Sequence, residues 1–388
     1  MNKNFCLAPW SSLYIGKRAI KLCCLWRGIS EWETIEDIKE MWSGERMQNI
    51  RRDFLNDKSP PECSSCLNRI TPRNIWLEQR VGEYVDKENL IINPPLKPLQ
   101  IDFHLSNKCN LQCRMCASWA TSNWYELDKK LNQIDSNFNR FPIKKYALDI
   151  SKFKNCKDIF TDIVRFDFKG GEPMLHDTMV EMLEYLVGWG NTENIRLSYV
   201  SNCSIRNERA MNLWKHFKEV RIVASIDGTD ELFSYIRGFD FKKFNETIEI
   251  YDKIDNMKGL YNVAVSIYNI LDINNINEWM LNRGLKRFPF NNDKSNYSFD
   301  CNVMDPSYLD VKILPKKYKQ LALKQFEDNH HDNLIPFIKW LESIQDIPAN
   351  EEQLRLFVSF TNTLDEAKGT DFLKLKPEFE ELFEEYSQ

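Results

Sequence analysis

The chain has 388 residues, 43% of them apolar and 28% charged, with a formal net charge of −5 at pH 7. That length allows one large domain with one or two appendages, and the mildly acidic balance gives no basis for nonspecific attraction to nucleic acid or an anionic membrane. No apolar run approaches a membrane span and the amino terminus lacks an export pattern, so a cytoplasmic chain whose 11 cysteines stay reduced is expected.

The first elements carry a dispersed cysteine set: Cys6 in Phe5-Cys6-Leu7-Ala8-Pro9-Trp10, the pair Cys23-Cys24 after a short hairpin, a helix containing Met41-Trp42, and Cys63-Ser64-Ser65-Cys66. Sulfurs from Cys6, one of Cys23 or Cys24, Cys63 and Cys66 can close a four-ligand site with no open position, and zinc or an iron–sulfur cluster would suit it equally on spacing. Three prolines within Pro94–Pro98 disfavour both helix and sheet ladder. They set a boundary between an amino-terminal module, residues 1–93, and the segment that follows.

From Leu99 onward strand-like and helix-like segments alternate, the pattern of βα units with parallel strands. The expected strands are 99–105, 163–168, 195–200, 221–226, 262–267 and 287–291. Apolar stripes at helical spacing lie between them: Met179, Met182, Leu183 and Leu186; Ala210, Leu213, Trp214 and Phe217; Phe244, Ile248 and Tyr251, with Asp240 as amino-terminal cap. These are core positions. After about residue 305 the alternation gives way to helices at 318–326 and 334–344, so the chain divides into 1–93, 94–304 and 305–388.

The first of these strands runs into Cys109-Asn110-Leu111-Gln112-Cys113-Arg114-Met115-Cys116. Three thiolates at this C-x3-C-x2-C spacing can occupy three corners of an iron–sulfur cube, and with no fourth cysteine nearby one iron keeps an open coordination position. The second strand ends in Lys169-Gly170-Gly171-Glu172-Pro173, where paired glycines let the backbone approach a ligand. The third ends in Ser201-Asn202-Cys203, and the fourth in Ser225-Ile226-Asp227-Gly228 with Arg237-Gly238 beyond.

These motifs, in this order, resemble the radical SAM superfamily, and they imply a partial (β/α)6 barrel with an amino-terminal iron–sulfur module and a helical carboxyl-terminal tail. The resemblance implies that Cys109, Cys113 and Cys116 hold a [4Fe–4S] cluster whose open iron is chelated by S-adenosylmethionine, reductively cleaved to a 5′-deoxyadenosyl radical. Gly170, Gly171, Glu172 and Pro173 match the GGEP motif, with Glu172 as acceptor for the methionyl ammonium. Asn202 matches the polar residue of a T-N-G ending, with Ser201 and Cys203 in place of threonine and glycine. Ser225, Asp227 and Arg237 match the S-[IVL]-D-G…R-G signature of the peptide-modifying branch, Arg237 facing the cofactor carboxylate. Met115 stands where an aromatic residue is usual.

The amino-terminal cysteines look like the twitch module, the shortened SPASM domain that holds one auxiliary [4Fe–4S] cluster, although relatives carry it after the barrel. Arg18 occupies the place of a hairpin glycine, and alignment of the strand favours Cys23 over Cys24. The resemblance implies an oxidoreductase acting on a peptide or protein side chain, or else on a sugar, nucleoside or other small molecule, with flavodoxin or ferredoxin as electron donor. A non-catalytic iron–sulfur or zinc carrier is the reading from another class. His104, Cys156 and Cys301 receive no role.

Overall fold

The computed structural model describes residues 5–387 apart from 18, 29, 68–76, 78–80, 84, 291–297, 300 and 328–330, with the side chains of 65, 67 and 301 also outside the description. Arg18 and the Cys301 side chain therefore lie outside the described residues.

One eight-stranded sheet organises the chain, in the order β3-β2-β1-β4-β5-β6-β7-β8. The strands are β1 (Ser12–Ile15), β2 (Ala19–Lys21), β3 (Ser30–Glu31), β4 (Gln100–His104), β5 (Arg165–Lys169), β6 (Arg196–Ser201), β7 (Glu219–Ser225) and β8 (Met257–Asn262). β1 pairs parallel with β4, and β4 through β8 continue parallel, so six adjacent strands share one direction. The β1–β2–β3 meander is antiparallel. The sheet thus runs across the boundary at residue 93.

Period-two alternation divides the sheet into two unlike faces. Ile101, Phe103, Phe166, Phe168, Leu197, Tyr199 and Ile222 point to one face and are fully buried. Their rings stack at 5.9 Å (Phe103–Phe166) and 5.3 Å (Phe168–Tyr199), and Trp214 of the Glu208–Trp214 helix closes over Tyr199. Asp102, His104, Arg165, Asp167, Lys169, Ser198 and Arg221 occupy the opposite face, where burial forces polar groups to pair. Arg165 pairs with Asp167, Lys169 with Asp102, and Arg221 with Glu219 and Glu83.

Two strand expectations are corrected. The segment 262–267 is displaced: the ladder uses Met257–Asn262, and Ala264–Val265 forms a separate two-stranded pair, β9, with Cys301–Asn302, β10. The described residues of 287–291 make no strand; the Arg287 carbonyl accepts from Gly259, and the Phe288 ring lies where a Gly259 Cβ would be. The sixth parallel strand is β1, from the amino-terminal end. The helical stripes stand as Asp177–Trp189, Glu208–Trp214 and Phe241–Tyr251, the last capped by Asp240. The carboxyl-terminal segment is helical, with Lys316–Lys324, Ile335–Ser343 and Glu351–Lys368 its longest helices. No helix among the described residues is long and apolar enough to cross a membrane.

Candidate functional site

The three-cysteine loop follows β4 at the carboxyl end of the parallel strands, where their loops gather. It is irregular, so its carbonyls need partners from elsewhere. Asn123 donates to the Cys109 carbonyl (2.9 Å), the Trp124 indole to that of Cys113 (3.1 Å) and Arg140 to that of Cys116 (2.6 Å). Each cysteine is thereby fixed through its own backbone.

The thiols interact mutually. Cys113 accepts a hydrogen bond from Cys116, and this, helped by the Arg237 guanidinium, brings its pKa down to about 7. The same bond and burial push Cys116 well up, while burial brings Cys109 to about 11. Among the described residues no three His, Cys, Asp or Glu side chains converge to grip a single metal ion, at this loop or at the amino-terminal set. A cubane takes one sulfur at each of several irons, so its ligands surround it without meeting at one point, and three soft thiolate donors suit it.

The glycine turn after β5 sits directly on this loop. Gly170 and Gly171 have φ of 95° and 55°, and a Cβ on Gly171 would lie 1.9 Å from the Lys108 carbonyl oxygen. Only glycine satisfies both the left-handed backbone and the close approach. Glu172 then donates its N–H to the Lys108 carbonyl (3.0 Å), and Pro173 begins a short 3-10 turn.

The Glu172 side chain is wholly buried and accepts from Met174 N (3.1 Å), Ser201 Oγ (2.9 Å) and Asn202 N (2.7 Å). Burial still lifts its carboxyl to about 7, against those three donors. A carboxylate can accept about four hydrogen bonds, which leaves room for one more donor. Asn202 extends the connection, its side-chain amide reaching Cys109 Sγ (3.6 Å) and Asn110 Oδ1 (3.2 Å). Cys203 follows with φ of 54°, in the left-handed region that favours glycine.

Ser225 closes β7 on the polar face and is half-buried. Asp227 and Arg237 form a buried ion pair, Asp227 also accepting from Ala264 N (2.8 Å). Arg237 Nε has no partner among the described residues, and the Arg237 carbonyl lies 3.6 Å from Cys113 Sγ. The arginine is thus held at the cysteine loop with one donor unspent.

At the amino-terminal set, Cys6 feels the charges of Cys23, Cys63 and Cys66, and Cys63 those of Cys23 and Cys66. Burial pushes Cys6 well above its ordinary range and Cys63 up to about 12. Arg27 N donates to the Glu62 carbonyl (3.1 Å), tying the two cysteine segments together. Cys24 instead acts on Tyr14. Of the pair, Cys23 is the one whose charge acts on both Cys6 and Cys63.

Sequence reasoning passed over a polar cluster between the two sets. Tyr14 Oη and His104 Nδ1 share a hydrogen bond of 2.5 Å, and the His104 ring packs against Gly170. Burial, with Lys169 and Lys21 nearby, holds His104 down at about 4. Parallel pairing of Tyr14 with Asp102 carries this contact, and a strand partner so distant in sequence leaves no local signal.

No family model matches the chain. The Antilisterial bacteriocin subtilosin biosynthesis protein AlbA of Bacillus subtilis (strain 168) is 22% identical over 251 residues, 63% of this chain and 49% of that protein. The chain therefore spans about half the length of this curated relative. Among solved structures, Streptococcus suis SuiB bound to S-adenosylmethionine aligns with a TM-score of 0.36 and 11% identity over 74% of this chain and 62% of that one. SuiB bound to precursor peptide SuiA aligns with a TM-score of 0.36 and 13% identity over 55% and 49%. The C-x3-C-x2-C loop and the glycine turn seated on it are the motifs by which the chain resembles the radical SAM superfamily, and its sequence is similar to AlbA.

Proposed function

We propose that the chain is a radical SAM enzyme of the peptide-modifying type. Cys109, Cys113 and Cys116 would hold the [4Fe–4S] cluster, and Cys6, Cys23, Cys63 and Cys66 an auxiliary [4Fe–4S] cluster in a twitch-like module set before a partial (β/α)6 barrel. When bound, the cluster with S-adenosylmethionine supplies a 5′-deoxyadenosyl radical that removes a hydrogen atom from the substrate, the hard chemistry residing in the cofactor.

The chain's own residues bind and orient. Glu172, with one acceptor position left, takes the cofactor's ammonium, and Gly170 and Gly171 let the backbone approach it. Arg237, its spare Nε–H beside the cysteine loop, faces the carboxylate end, and Ser225 and Asn202 supply polar contacts at the rim. The observation that carries the reading is the bridge Glu172–Asn202–Cys109, which joins the candidate ammonium acceptor to a candidate cluster ligand.

A peptide or protein side chain is the proposed substrate class, supported by the match to a protein of bacteriocin biosynthesis. Two oxygen-labile clusters call for a reducing, cytoplasmic setting and a flavodoxin- or ferredoxin-type electron donor. Anaerobic reconstitution tests the reading: about eight irons per chain, for two cubanes, and 5′-deoxyadenosine on adding S-adenosylmethionine and dithionite are expected. A protein that retains only zinc and forms no 5′-deoxyadenosine would overturn it.

A further inference from the structure

The carboxyl-terminal helix Glu351–Lys368 carries no sequence motif, yet it is clamped to the outside of the three-cysteine loop. Phe360 stacks on Trp124 at 6.0 Å, and Trp124 holds the Cys113 carbonyl. Asp365 pairs with Arg114 at 2.6 Å, while the Arg114 guanidinium lies 3.7 Å over the Tyr235 ring and its Nε donates to the Tyr235 carbonyl (3.0 Å). At the last turn, Lys368 Nζ donates to the Gln112 carbonyl at 2.8 Å. The helix then ends on Gly369 in the left-handed conformation.

Three cations therefore surround Cys113, and their charges are balanced differently. Arg237 is paired with Asp227 and Arg114 with Asp365. Lys368 is half-buried, and among the described residues it has no carboxylate partner; the charges acting on it are Arg114, which repels, and Cys113, which attracts. A partly desolvated ammonium without a counter-ion is costly, and a neutral side chain could have met the Gln112 carbonyl equally well. Its compensation lies in negative charge on the cysteine loop.

We infer that Lys368 is a positioning residue that sets the reducibility of the Cys109–Cys113–Cys116 site, its uncompensated charge favouring the form that carries the extra electron. This rests on the proposed cluster at those cysteines. Net charge and hydrogen bonding around the sulfurs are among the levers that set a cluster's potential. A lysine at Gln112 supplies both, from an element outside the strands and their loops.

The test is an EPR-monitored redox titration of the reconstituted full-length protein, following the signal that changes on adding S-adenosylmethionine. Lys368→Gln keeps a donor for the Gln112 carbonyl and removes the charge; Lys368→Arg keeps both. In Lys368→Gln the reduced-to-oxidised ratio at a fixed potential should fall about tenfold, equivalent to 59 mV for one electron, with Lys368→Arg within about twofold of the wild type. Lys368→Met should move as Lys368→Gln does. A Lys368→Gln potential equal to wild type, or equal shifts in the Gln and Arg variants, overturns the inference alone. If Lys368→Gln loses its iron, the charge assignment fails unless Lys368→Arg retains both iron and potential. A wild-type protein with no signal that responds to S-adenosylmethionine overturns the proposed function, and this inference with it.

Discussion

The backbone N–H of Asn202 donates to the buried Glu172 carboxylate at 2.7 Å, so the end of β6 and the glycine turn after β5 are fixed to each other. The Asn202 side chain then reaches Cys109 Sγ at 3.6 Å. Replacing Asn202 with Ala leaves the first bond and removes the second. Weaker binding of S-adenosylmethionine by about fivefold to tenfold is expected, the scale of one net hydrogen bond. A spectroscopic titration of the reconstituted protein measures it, and unchanged affinity would remove Asn202 from the site.

Glu172 gives a pH signature. Its carboxyl, raised by burial to about 7, must ionise to receive an ammonium, so affinity for S-adenosylmethionine should fall about tenfold per pH unit below about 7 and level off above it. In the metal-free protein the same shift works on folding. An acid whose folded pKa is raised costs stability as pH rises from 4.5 to about 7, on the order of 3 kcal/mol, and no more beyond. Glu172→Gln should flatten both profiles, and a binding profile that keeps its slope in the variant would assign the titration to another group.

The glycines separate into two kinds. Gly171→Ala would drive a methyl group into the Lys108 carbonyl in a left-handed backbone, so loss of iron retention at the three-cysteine loop is expected, with a stability cost of several kcal/mol. Gly188, in the Asp177–Trp189 helix with nothing beyond its chain neighbours and the helix's own backbone within 4 Å of where a Cβ would lie, is its control. Gly188→Ala should stabilise by about 0.5–1 kcal/mol. Thermal melts with iron analysis distinguish the two.

Cys23 and Cys24 are neighbours with different surroundings, and alanine at each should read differently. Cys23→Ala should lower the iron content of the reconstituted protein from about eight to about four, while Cys24→Ala keeps about eight. Equal losses would mean that the pair is shared or that the auxiliary site is misassigned.

How far these features were legible follows from the range of the interactions that make them. Strands β4 to β7 and their helices announce themselves by local periodicity, as in Ile101 and Phe103 against Asp102 and His104. β8 does not, because Lys258-Gly259 reads as a break until Phe288 fills the space above the glycine. β1 reads as one arm of a hairpin, since the partner that makes it a sheet strand is β4. At the site, close-spaced Cys109, Cys113 and Cys116 and the Gly170–Pro173 turn carry their chemistry in short spacing. Lys368 and the Tyr14–His104 contact depend on tertiary pairing and leave no pattern in the chain.

The most direct measurement is the EPR spectrum of the anaerobically reconstituted, reduced protein with and without S-adenosylmethionine, compared with the Cys113→Ala variant. An iron left open by only three cysteines should give a signal that changes when the cofactor is added, and this response should vanish in Cys113→Ala while the amino-terminal cluster's signal persists. A wild-type spectrum indifferent to S-adenosylmethionine, or a response that survives the loss of Cys113, would contradict the account.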